Sequence, residues 1–391
     1  MAVLGDYIRI KHGFAFKGDF ITTEDNGIVL VTPGNFEIGG GFKEKKCKFF
    51  SGDYPAEYVL CPGDLIVTMT DLSKQGDTLG FSALVPNSKR TYLHNQRIGL
   101  VDVFNPEADR EFIYWFMRTP RYQKTIVATA SGSTVKHTSP SRICEVEIDL
   151  PPLNEQKAIA AILTAIDDKI ELNEKINDNL LAQAQAIFMQ RFIMDKIEGD
   201  EKPLYDFADY INGAAFKPSE CGDHGLPIIK IVELKNGITD STKYFDGFKG
   251  EKYLIQDKDI LFSWSGNPDT SIDIFIWTHG KAILNQHTFN VKSNTGHRWF
   301  TFLMLKYFKP EFSRIASNKQ TTGLGHVTAT DLKRLTFVFN KDAIEAFEHE
   351  VSPFMETIYT NMMEKQRLEQ LRDNLLPKLM SGEIDVSDIQ L

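Results

Sequence analysis

Apolar residues in this chain of 391 residues follow two different spacings. In residues 1–150 and 199–340 they form short runs rich in Val, Ile, Phe and Tyr, separated by Gly, Pro, Asn and Asp. Residues 58–70 (YVLCPGDLIVTMT) and 226–234 (LPIIKIVEL) are examples. Runs of this kind are typical of strands joined by turns. The pattern therefore predicts two β-rich domains, one in each of these regions.

Helical spacing dominates the remaining segments, 151–198 and 341–391. Their apolar residues recur three and four positions apart, which indicates helices with one apolar face. Each helix would be about 45 Å long, which is longer than a small domain is wide. We therefore expect the two helices to pair antiparallel, as in a coiled coil, and to form a spacer between the β-rich domains. Shorter helical stretches fall inside the domains, at 110–122 and 299–308.

A proline interrupts the second helical segment at Ser352-Pro353. Proline is tolerated in the first turn of a helix and disrupts later turns. We therefore expect a short helix to end near Val351 and a longer helix to begin there. Thr164 lies at the matching place in the first segment and is expected to mark the same break.

The two β-rich domains share short sequences in the same order, which indicates an internal duplication. The offset between matching positions falls from 203 to 189, so the second copy is shorter in its loops. The repeat predicts an α+β fold with pseudo-two-fold internal symmetry. The matches are Asp6-Tyr7-Ile8 with Asp209-Tyr210-Ile211, Ala15-Phe16-Lys17 with Ala215-Phe216-Lys217, Asp64-Leu65-Ile66 with Asp259-Ile260-Leu261, Asn95-Gln96 with Asn285-Gln286, and His137 with His326.

Composition excludes several classes of protein. With 42% apolar and 25% charged residues, the chain has ordinary globular composition and is not a fibrous or disordered protein. Its sequence contains neither an apolar run long enough to span a membrane nor a recognisable signal peptide, so we expect a cytoplasmic protein. The four cysteines form no C-x-x-C pair, which argues against a zinc site or a disulfide framework.

The net charge of -9, taken alone, argues against a nucleic-acid-binding protein. The charge is unevenly distributed, however: it is -1 over residues 1–150, -4 over 151–200, +2 over 201–340 and -6 over 341–391. The acidity therefore lies on the helical segments, and the β-rich domains are close to neutral. If these domains bind DNA, we expect the chain alone to bind weakly.

Two segments resemble the sequences of a known family. Residues 150–173 (LPPLNEQKAIAAILTAIDDKIELN) are similar to the central conserved region of type I restriction–modification specificity subunits. Residues 368–384 (LEQLRDNLLPKLMSGEI) are similar to their C-terminal conserved region. The resemblance implies target-recognition domains at 1–150 and 199–340, each of which reads one half of a split DNA site. The helices would set the spacer between the half-sites and help to dock partner subunits.

The same resemblance implies a set of partners. They are double-stranded DNA, two methyltransferase subunits and, in the full complex, two motor-nuclease subunits. S-adenosylmethionine, ATP and Mg²⁺ are expected on those partners, and no cofactor is expected on this chain. The second copy departs from the family's Leu-Pro-Pro-Leu-x-Glu-Gln opening, since residues 338–345 read VFNKDAIE.

Sequence motifs for catalysis are missing. The sequence contains no G-x-x-x-x-G-K-[ST] phosphate loop, no glycine-rich dinucleotide turn and no G-x-S-x-G nucleophile elbow. Asn267-Pro268 matches only part of a DNA methyltransferase turn, and Pro268-Asp269 with Asp273 matches only part of a metal-dependent nuclease site. We therefore expect a recognition subunit with neither a catalytic nor a metal site.

Polar loops at matching places in the two copies supply the candidate DNA contacts. Arg and Lys pair with guanine, Asn and Gln pair with adenine, and Lys and hydroxyl groups contact phosphates. The candidates in the first copy are Lys17, Lys74, Gln75, Asn95, Gln96, Arg97, Ser133, Thr134, Lys136 and His137. The candidates in the second copy are Lys217, Ser263, Ser265, Asn267, Asn285, Gln286, His287, Lys319, Gln320, Thr321, Thr322 and His326.

Alternatives remain at two levels. The amides of Asn95 and Asn285 are equally well explained as buried groups that complete a turn, and Phe14, Phe16 and Phe216 are expected in the core. At the level of function, the alternative is an interaction scaffold that does not bind DNA, with two ligand-binding domains joined by a helical pair. A fused nuclease with an unrecognised site is the third hypothesis.

Overall fold

The chain forms two compact units in a computed structural model that describes residues 2–73, 75–320 and 324–387. Unit 1 comprises Met1–Asp168 and Leu368–Leu391, and unit 2 comprises Lys169–Arg367. Each unit contains one β-rich domain and a stretch of both long helices. Within the described residues, every helix is too short or too polar to cross a membrane.

The strands of unit 1 form two sheets and two short ladders. One sheet is antiparallel with the order β2-β11-β7-β9, and the other has the order β3-β5-β4-β10-β6 with β4 and β10 parallel. The ladders are β1-β13 and β8-β12. The strands are β1 (Ala2–Val3), β2 (Ile8–His12), β3 (Ile21–Thr22), β4 (Ile28–Val31), β5 (Lys48–Phe50), β6 (Val59–Leu60), β7 (Leu65–Thr68), β8 (Thr70–Asp71), β9 (Ser82–Leu84), β10 (Thr91–His94), β11 (Ile98–Val103), β12 (Lys136–His137) and β13 (Glu147–Ile148).

Strand β7 lies at the centre of unit 1 and is buried on both faces. Leu65 and Val67 pack into a core that includes the helical residues Phe112 and Trp115. Ile66, which points to the opposite face of the strand, packs into a second core with residues of the other sheet. A strand covered on both sides is mostly apolar, which explains Leu65-Ile66-Val67. The hydroxyl of the buried Thr68 donates to the Thr70 carbonyl over 2.9 Å.

The helices of unit 1 begin at polar capping side chains. They are α1 (Arg110–Phe116), α2 (Pro120–Ala128) and α3 (Pro140–Cys144). Asp109, Thr119 and Ser139 accept the orphan backbone N–H groups of their first turns. The predicted helix at 110–122 is therefore split in two at Thr119-Pro120.

Helix α4 (Leu153–Phe188) is one continuous helix that ends in a π-helical turn, Met189–Met194. The buried side chain of Gln156 fastens its start. Gln156 Nε2 donates to the carbonyl oxygens of Glu107 and Pro151, both over 2.8 Å, and its Oε1 accepts the N–H of Asp109 over 2.7 Å. The break predicted at Thr164 is wrong, because Thr164 Oγ1 instead accepts a hydrogen bond from the Trp115 indole within an unbroken helix.

Unit 2 repeats the architecture of unit 1. Its antiparallel sheet has the order β15-β23-β19-β21, its second sheet has the order β17-β16-β22-β18 with β16 and β22 parallel, and its ladders are β14-β25 and β20-β24. The strands are β14 (Asp200–Pro203), β15 (Ala208–Asn212), β16 (Leu226–Ile229), β17 (Tyr244–Phe245), β18 (Leu254–Ile255), β19 (Ile260–Ser263), β20 (Ser265–Gly266), β21 (Asp273–Ile276), β22 (Ala282–Leu284), β23 (Thr288–Ser293), β24 (Gly325–His326) and β25 (Thr336–Phe339).

The helices of unit 2 are α5 (Ile231–Asn236), α6 (Arg298–Tyr307), α7 (Lys309–Asn318), α8 (Ala329–Arg334) and α9 (Lys341–Met380). Residues 226–234, predicted as a strand-like run, are a strand followed by α5. Lys230 lies between them, and its N–H donates to the Glu233 carboxylate at the start of the helix.

Helix α9 runs without interruption through Ser352-Pro353, so the predicted break there is also wrong. The Ser352 hydroxyl donates to the carbonyl oxygen of Glu348 over 2.6 Å within the helix. Val351 and Met355 on either side are fully buried in the core of unit 2. Their burial holds the helix in place across the proline, whose missing N–H would otherwise end it.

The two long helices pair antiparallel within unit 2. Asn173 Nδ2 donates to Glu364 Oε2 over 2.8 Å, and Asn361 Nδ2 donates to Asn177 Oδ1 over 2.9 Å. From the first pair to the second, the residue number increases on α4 and decreases on α9, as expected for antiparallel helices. The predicted pairing is therefore confirmed.

The same order of residues holds within unit 1. Leu163 on α4 and Leu376 on α9 share one core. Asp167 accepts hydrogen bonds from Arg118 Nη1 over 2.5 Å and from Arg372 Nη1 over 2.8 Å. This carboxylate therefore links the β-rich domain of unit 1 to both long helices.

Strand register confirms the internal repeat and corrects one of its matches. Val101 faces Leu65 as Val291 faces Ile260, which agrees with the expected offsets of 190 and 195. In the first strand of each sheet, however, Val103 faces Ile8 while Ser293 faces Ala208, which gives an offset of 200. The match of Asp6-Tyr7-Ile8 with Asp209-Tyr210-Ile211 is therefore wrong by three residues, because a short shared sequence does not fix strand register.

Candidate nucleic-acid interface

Three polar segments of unit 1 lie side by side. We name residues 69–72, 95–97 and 136–138 the three-segment cluster of unit 1. Thr70 on β8 faces His137 on β12, and Thr70 Oγ1 lies 3.1 Å from His137 Nδ1. The Met69 N–H donates to the Arg97 carbonyl over 2.9 Å. The predicted candidates Asn95, Gln96, Arg97, Lys136 and His137 thus lie in segments that meet in one place.

Unit 2 builds the same cluster from the matching residues. The three-segment cluster of unit 2 consists of residues 264–267, 285–287 and 324–327. Ser265 on β20 faces His326 on β24, and the Val327 N–H donates to the Trp264 carbonyl over 2.8 Å. The rings of Trp264 and His287 lie 5.8 Å apart. Both units therefore place a histidine opposite a hydroxyl side chain, beside an exposed turn.

An asparagine holds that turn from inside. Asn95 is only 9% exposed, and its Oδ1 accepts the N–H of Arg97 over 3.0 Å. Asn285 occupies the matching position and is equally buried. Burial therefore favours the structural explanation for both asparagines over base contact, and for Asn95 the hydrogen bond to Arg97 shows the side chain completing the turn. Gln96, Arg97, Gln286 and His287 are exposed around them.

A glycine supports the turn in each unit. The segment at Gly13 passes very close to the turn at Asn95. A Cβ on Gly13 would lie 2.2 Å from the Asn95 carbonyl oxygen. A Cβ on Gly213 would lie 2.2 Å from the Asn285 carbonyl oxygen. Neither position accommodates a side chain, so glycine is required at both for the turn to form.

The loop that follows β8 is organised around the buried carboxylate of Asp71. Asp71 Oδ1 accepts the N–H of Ser73, and Oδ2 accepts both the N–H and the hydroxyl of Thr78. Burial alone would raise the pKa of Asp71, but these hydrogen bonds outweigh it and lower the pKa. The carboxylate therefore stays ionised and ties Ser73 to Thr78.

Two predicted contacts of unit 2 have structural roles instead. Ser263 is fully buried on β19 opposite Thr288, so it is not available to DNA. Lys319 donates to both carboxylate oxygens of Asp331, over 2.7 and 2.5 Å. Burial would raise the pKa of Asp331, but the hydrogen bonds from Lys319 and Thr328 lower it. The positive charge of Lys319 is thus matched inside the domain.

Apart from Lys17 and Lys217, the remaining predicted residues divide into three groups. Ser265, Asn267 and Lys136 lie within the clusters and are partly or fully exposed. Gln75, Ser133, Thr134 and Gln320 are exposed in the adjoining loops. Lys74, Thr321 and Thr322 lie outside the described residues.

Lys17 and Lys217 are exposed but belong to neither cluster. Each follows by three residues a backbone bridge to the asparagine turn, Phe14 with Asn95 and Ala214 with Asn285. The described contacts do not bring either lysine to its three-segment cluster.

Exposed apolar side chains at the clusters were not predicted from the sequence. Leu72 is 66% exposed and Leu324 is 59% exposed. Phe14, expected in the core, is 37% exposed beside Gln96, while Phe16 and Phe216 are partly buried. A single exposed leucine has the same sequence signature as a core leucine, so only the structure distinguishes them.

Two observations concern the partial nuclease motif of the sequence. Those residues contain no group of three or more His, Cys, Asp or Glu side chains placed to hold a metal ion. Asp273, considered as part of a nuclease site, accepts a hydrogen bond from Lys306 over 2.8 Å and from the N–H of Ile274. Its carboxylate is therefore engaged in the fold.

Comparison with known families places both halves of the chain in one group. Residues 3–182 and 197–372 each match the family model described as type I restriction modification DNA specificity domain. The chain is 24% identical over 310 residues to the type I restriction enzyme MjaIX specificity subunit of Methanocaldococcus jannaschii. The matched region covers 71% of this chain and 70% of that protein. It is 27% identical over 261 residues to the EcoBI specificity subunit of Escherichia coli, covering 59% of this chain and 52% of that protein.

A solved structure has the same fold. The crystal structure of the S subunit of a type I restriction-modification system from M. genitalium superimposes with a TM-score of 0.58 and covers 96% of this chain and 94% of that one. Since the sequence identity is 17%, the likeness concerns the fold.

Proposed function

Because the chain belongs to the type I restriction modification DNA specificity family, it is a DNA specificity subunit, and we propose that each unit reads one half of a bipartite DNA site through its three-segment cluster. The observation that supports this proposal is the duplication of the cluster. Both units place matching residues together in the same strand register, within segments that each match a DNA specificity domain. The hypothesis of a scaffold without DNA binding is correspondingly disfavoured.

The exposed side chains of the clusters suit base and phosphate recognition. In unit 1 they include Gln96, Arg97 and His137, with Lys136 partly exposed beside them. Arg and Gln match the donors and acceptors of guanine and adenine, and the lysine suits a phosphate. Buried polar groups such as Asn95 fix the turn before DNA arrives, which lowers the entropic cost of binding.

The two units carry different side chains at matching positions, which favours half-sites of different sequence. Arg97 in unit 1 corresponds to His287 in unit 2, and Met69 corresponds to Trp264. The backbone that presents them has the same register, whereas the chemistry presented to a base differs. The two halves of the site therefore need not have the same sequence.

The chain works in an assembly with other subunits. Specificity subunits of type I systems are not themselves catalytic, and the chemistry belongs to their partners. The proposed assembly contains two methyltransferase subunits and, in its full form, two motor-nuclease subunits. S-adenosylmethionine, ATP and Mg²⁺ would bind to those partners. The proposed location is the cytoplasm, and the near-neutral β-rich domains favour additional phosphate contacts from partner subunits.

Selection from random DNA tests this proposal. The full chain, with and without its methyltransferase subunit, is incubated with randomised duplexes, and the shifted DNA is sequenced. We expect enrichment of two short blocks of defined sequence separated by an undefined gap. An unenriched pool with the methyltransferase present would contradict the proposal and favour the scaffold. Incubation of the chain alone with duplex and Mg²⁺ is expected to leave the DNA uncut.

A further inference from the structure

Leu72 is the most exposed large apolar side chain of the cluster in unit 1, at 66% of its surface. It directly follows β8, whose residues Thr70 and Asp71 face His137 and Lys136 on β12. The other exposed residues of this cluster, Gln96, Arg97 and His137, are polar or charged. An apolar group is thus presented to solvent at the point where the polar candidates converge.

The backbone around Leu72 is held by several hydrogen bonds. Asp71 Oδ1 accepts the N–H of Ser73 over 2.6 Å, and the Ser73 hydroxyl accepts the N–H groups of Gly76 and Asp77 over 3.0 and 2.9 Å. Gln123 on α2 donates to the Gly76 carbonyl over 2.9 Å. Asp71 and Ser73, the residues on either side of Leu72, are therefore held by hydrogen bonds, and Gly76 is held by α2.

A fixed, exposed apolar side chain among base-reading groups matches one feature of the major groove. The 5-methyl group of thymine is the apolar group that the groove presents, and cytosine lacks it. Leucine cannot hydrogen-bond to a base edge, so its recognition depends on burying apolar surface. Unit 2 presents Leu324, 59% exposed, immediately before β24.

We propose that Leu72 contacts the 5-methyl group of a thymine in the half-site read by unit 1 and so determines specificity at that base pair. This inference rests on the proposed function, since it requires the cluster to face the major groove. The contact discriminates thymine from cytosine without any hydrogen bond from the leucine.

A methyl-deletion experiment tests the contact. The full chain in complex with its methyltransferase subunit is titrated with the bipartite duplex obtained by selection. Each thymine of the two half-sites is then replaced in turn by deoxyuridine, which lacks only the methyl group. For the wild-type chain we expect one replacement to weaken binding about four-fold, the effect of losing one buried methyl-sized group.

The Leu72→Ala variant shows whether Leu72 is responsible. It should bind the thymine duplex about four-fold more weakly and lose its response to the deoxyuridine replacement. Ile38→Ala removes a comparably exposed aliphatic side chain of unit 1, 74% exposed and outside the cluster and the long helices, and should retain the wild-type response. The Leu72 side chain lies mostly in solvent, so thermal melting of the variant should match that of the wild type.

Any of three results would overturn the inference about Leu72. The wild-type chain could be insensitive to every thymine replacement, or the selected site could contain no thymine. The third result is a sensitivity that persists unchanged in Leu72→Ala. Failure of the proposed function gives a different result, because the wild-type complex then fails to select any bipartite site.

Discussion

At the scale of single residues, buried polar side chains hold the backbone from which exposed side chains project. Asn95 closes a turn from inside while Gln96 and Arg97 face solvent. Asp71 closes the adjacent loop while Leu72 faces solvent. Sequence reasoning could predict these segments from their repetition and polarity. It could not predict which side chain of each segment is buried, because that depends on the register of strands distant in sequence.

The Asp71 carboxylate gives a prediction about pH. Asp71→Asn should lower the free energy of unfolding by about 1–3 kcal/mol at neutral pH, because an amide nitrogen replaces an acceptor oxygen. Hydrogen bonds hold the pKa of Asp71 below its ordinary value, so its stabilisation is fully present above about pH 4. That stabilisation is lost as the pH falls through the lowered pKa. Urea unfolding at a series of pH values should show the difference from wild type shrinking in acid.

Asp77→Asn is the matched control for Asp71→Asn. It makes the same chemical change in the same loop. Asp77 bonds to the Ser73 hydroxyl through its backbone N–H, which the substitution leaves in place. We expect a smaller loss of stability from this variant. If both variants lose equal stability at every pH, the Asp71 carboxylate does not organise the loop.

At the scale of elements, tertiary contacts decide where the long helices begin and whether they continue. Apolar spacing in the sequence predicted both helices. It also predicted a break at Pro353, which does not occur because the buried Val351 and Met355 hold the helix on either side. Gln156 shows the opposite case. It lies inside the motif that resembles the family. Two of its hydrogen bonds join α4 to the chain preceding α1, and the third goes to Pro151 just before α4.

Gln156→Ala should destabilise unit 1. The substitution leaves the Asp109 N–H and the carbonyls of Glu107 and Pro151 without their partner in a buried site. We expect the free energy of unfolding to fall by about 1–3 kcal/mol, measured by urea denaturation. Lys157→Ala, an exposed neighbour on the same turn of the helix, should change it by less than about 0.5 kcal/mol. Equal effects would show that the buried amide does not anchor α4.

At the scale of the whole molecule, duplication was the feature that sequence reasoning could predict most fully. Matches near Leu65, Asn95 and His137 agree with the strand register of the second copy, whereas the Asp6 match does not. Short matches identify the order of parts, but only paired strands fix their alignment. The net charge of -9 is concentrated in the helical segments, so it does not argue against DNA recognition by the β-rich domains.

The most direct test of separate reading by the two units is the methylated DNA sequence in cells that carry the chain with its methyltransferase partner. For the wild type we predict a bipartite motif. His137→Ala should relax only one half of that motif, His326→Ala should relax only the other half, and His349→Ala on α9 should leave both halves unchanged. A contiguous motif, or histidine variants that both relax the same half, would contradict the account.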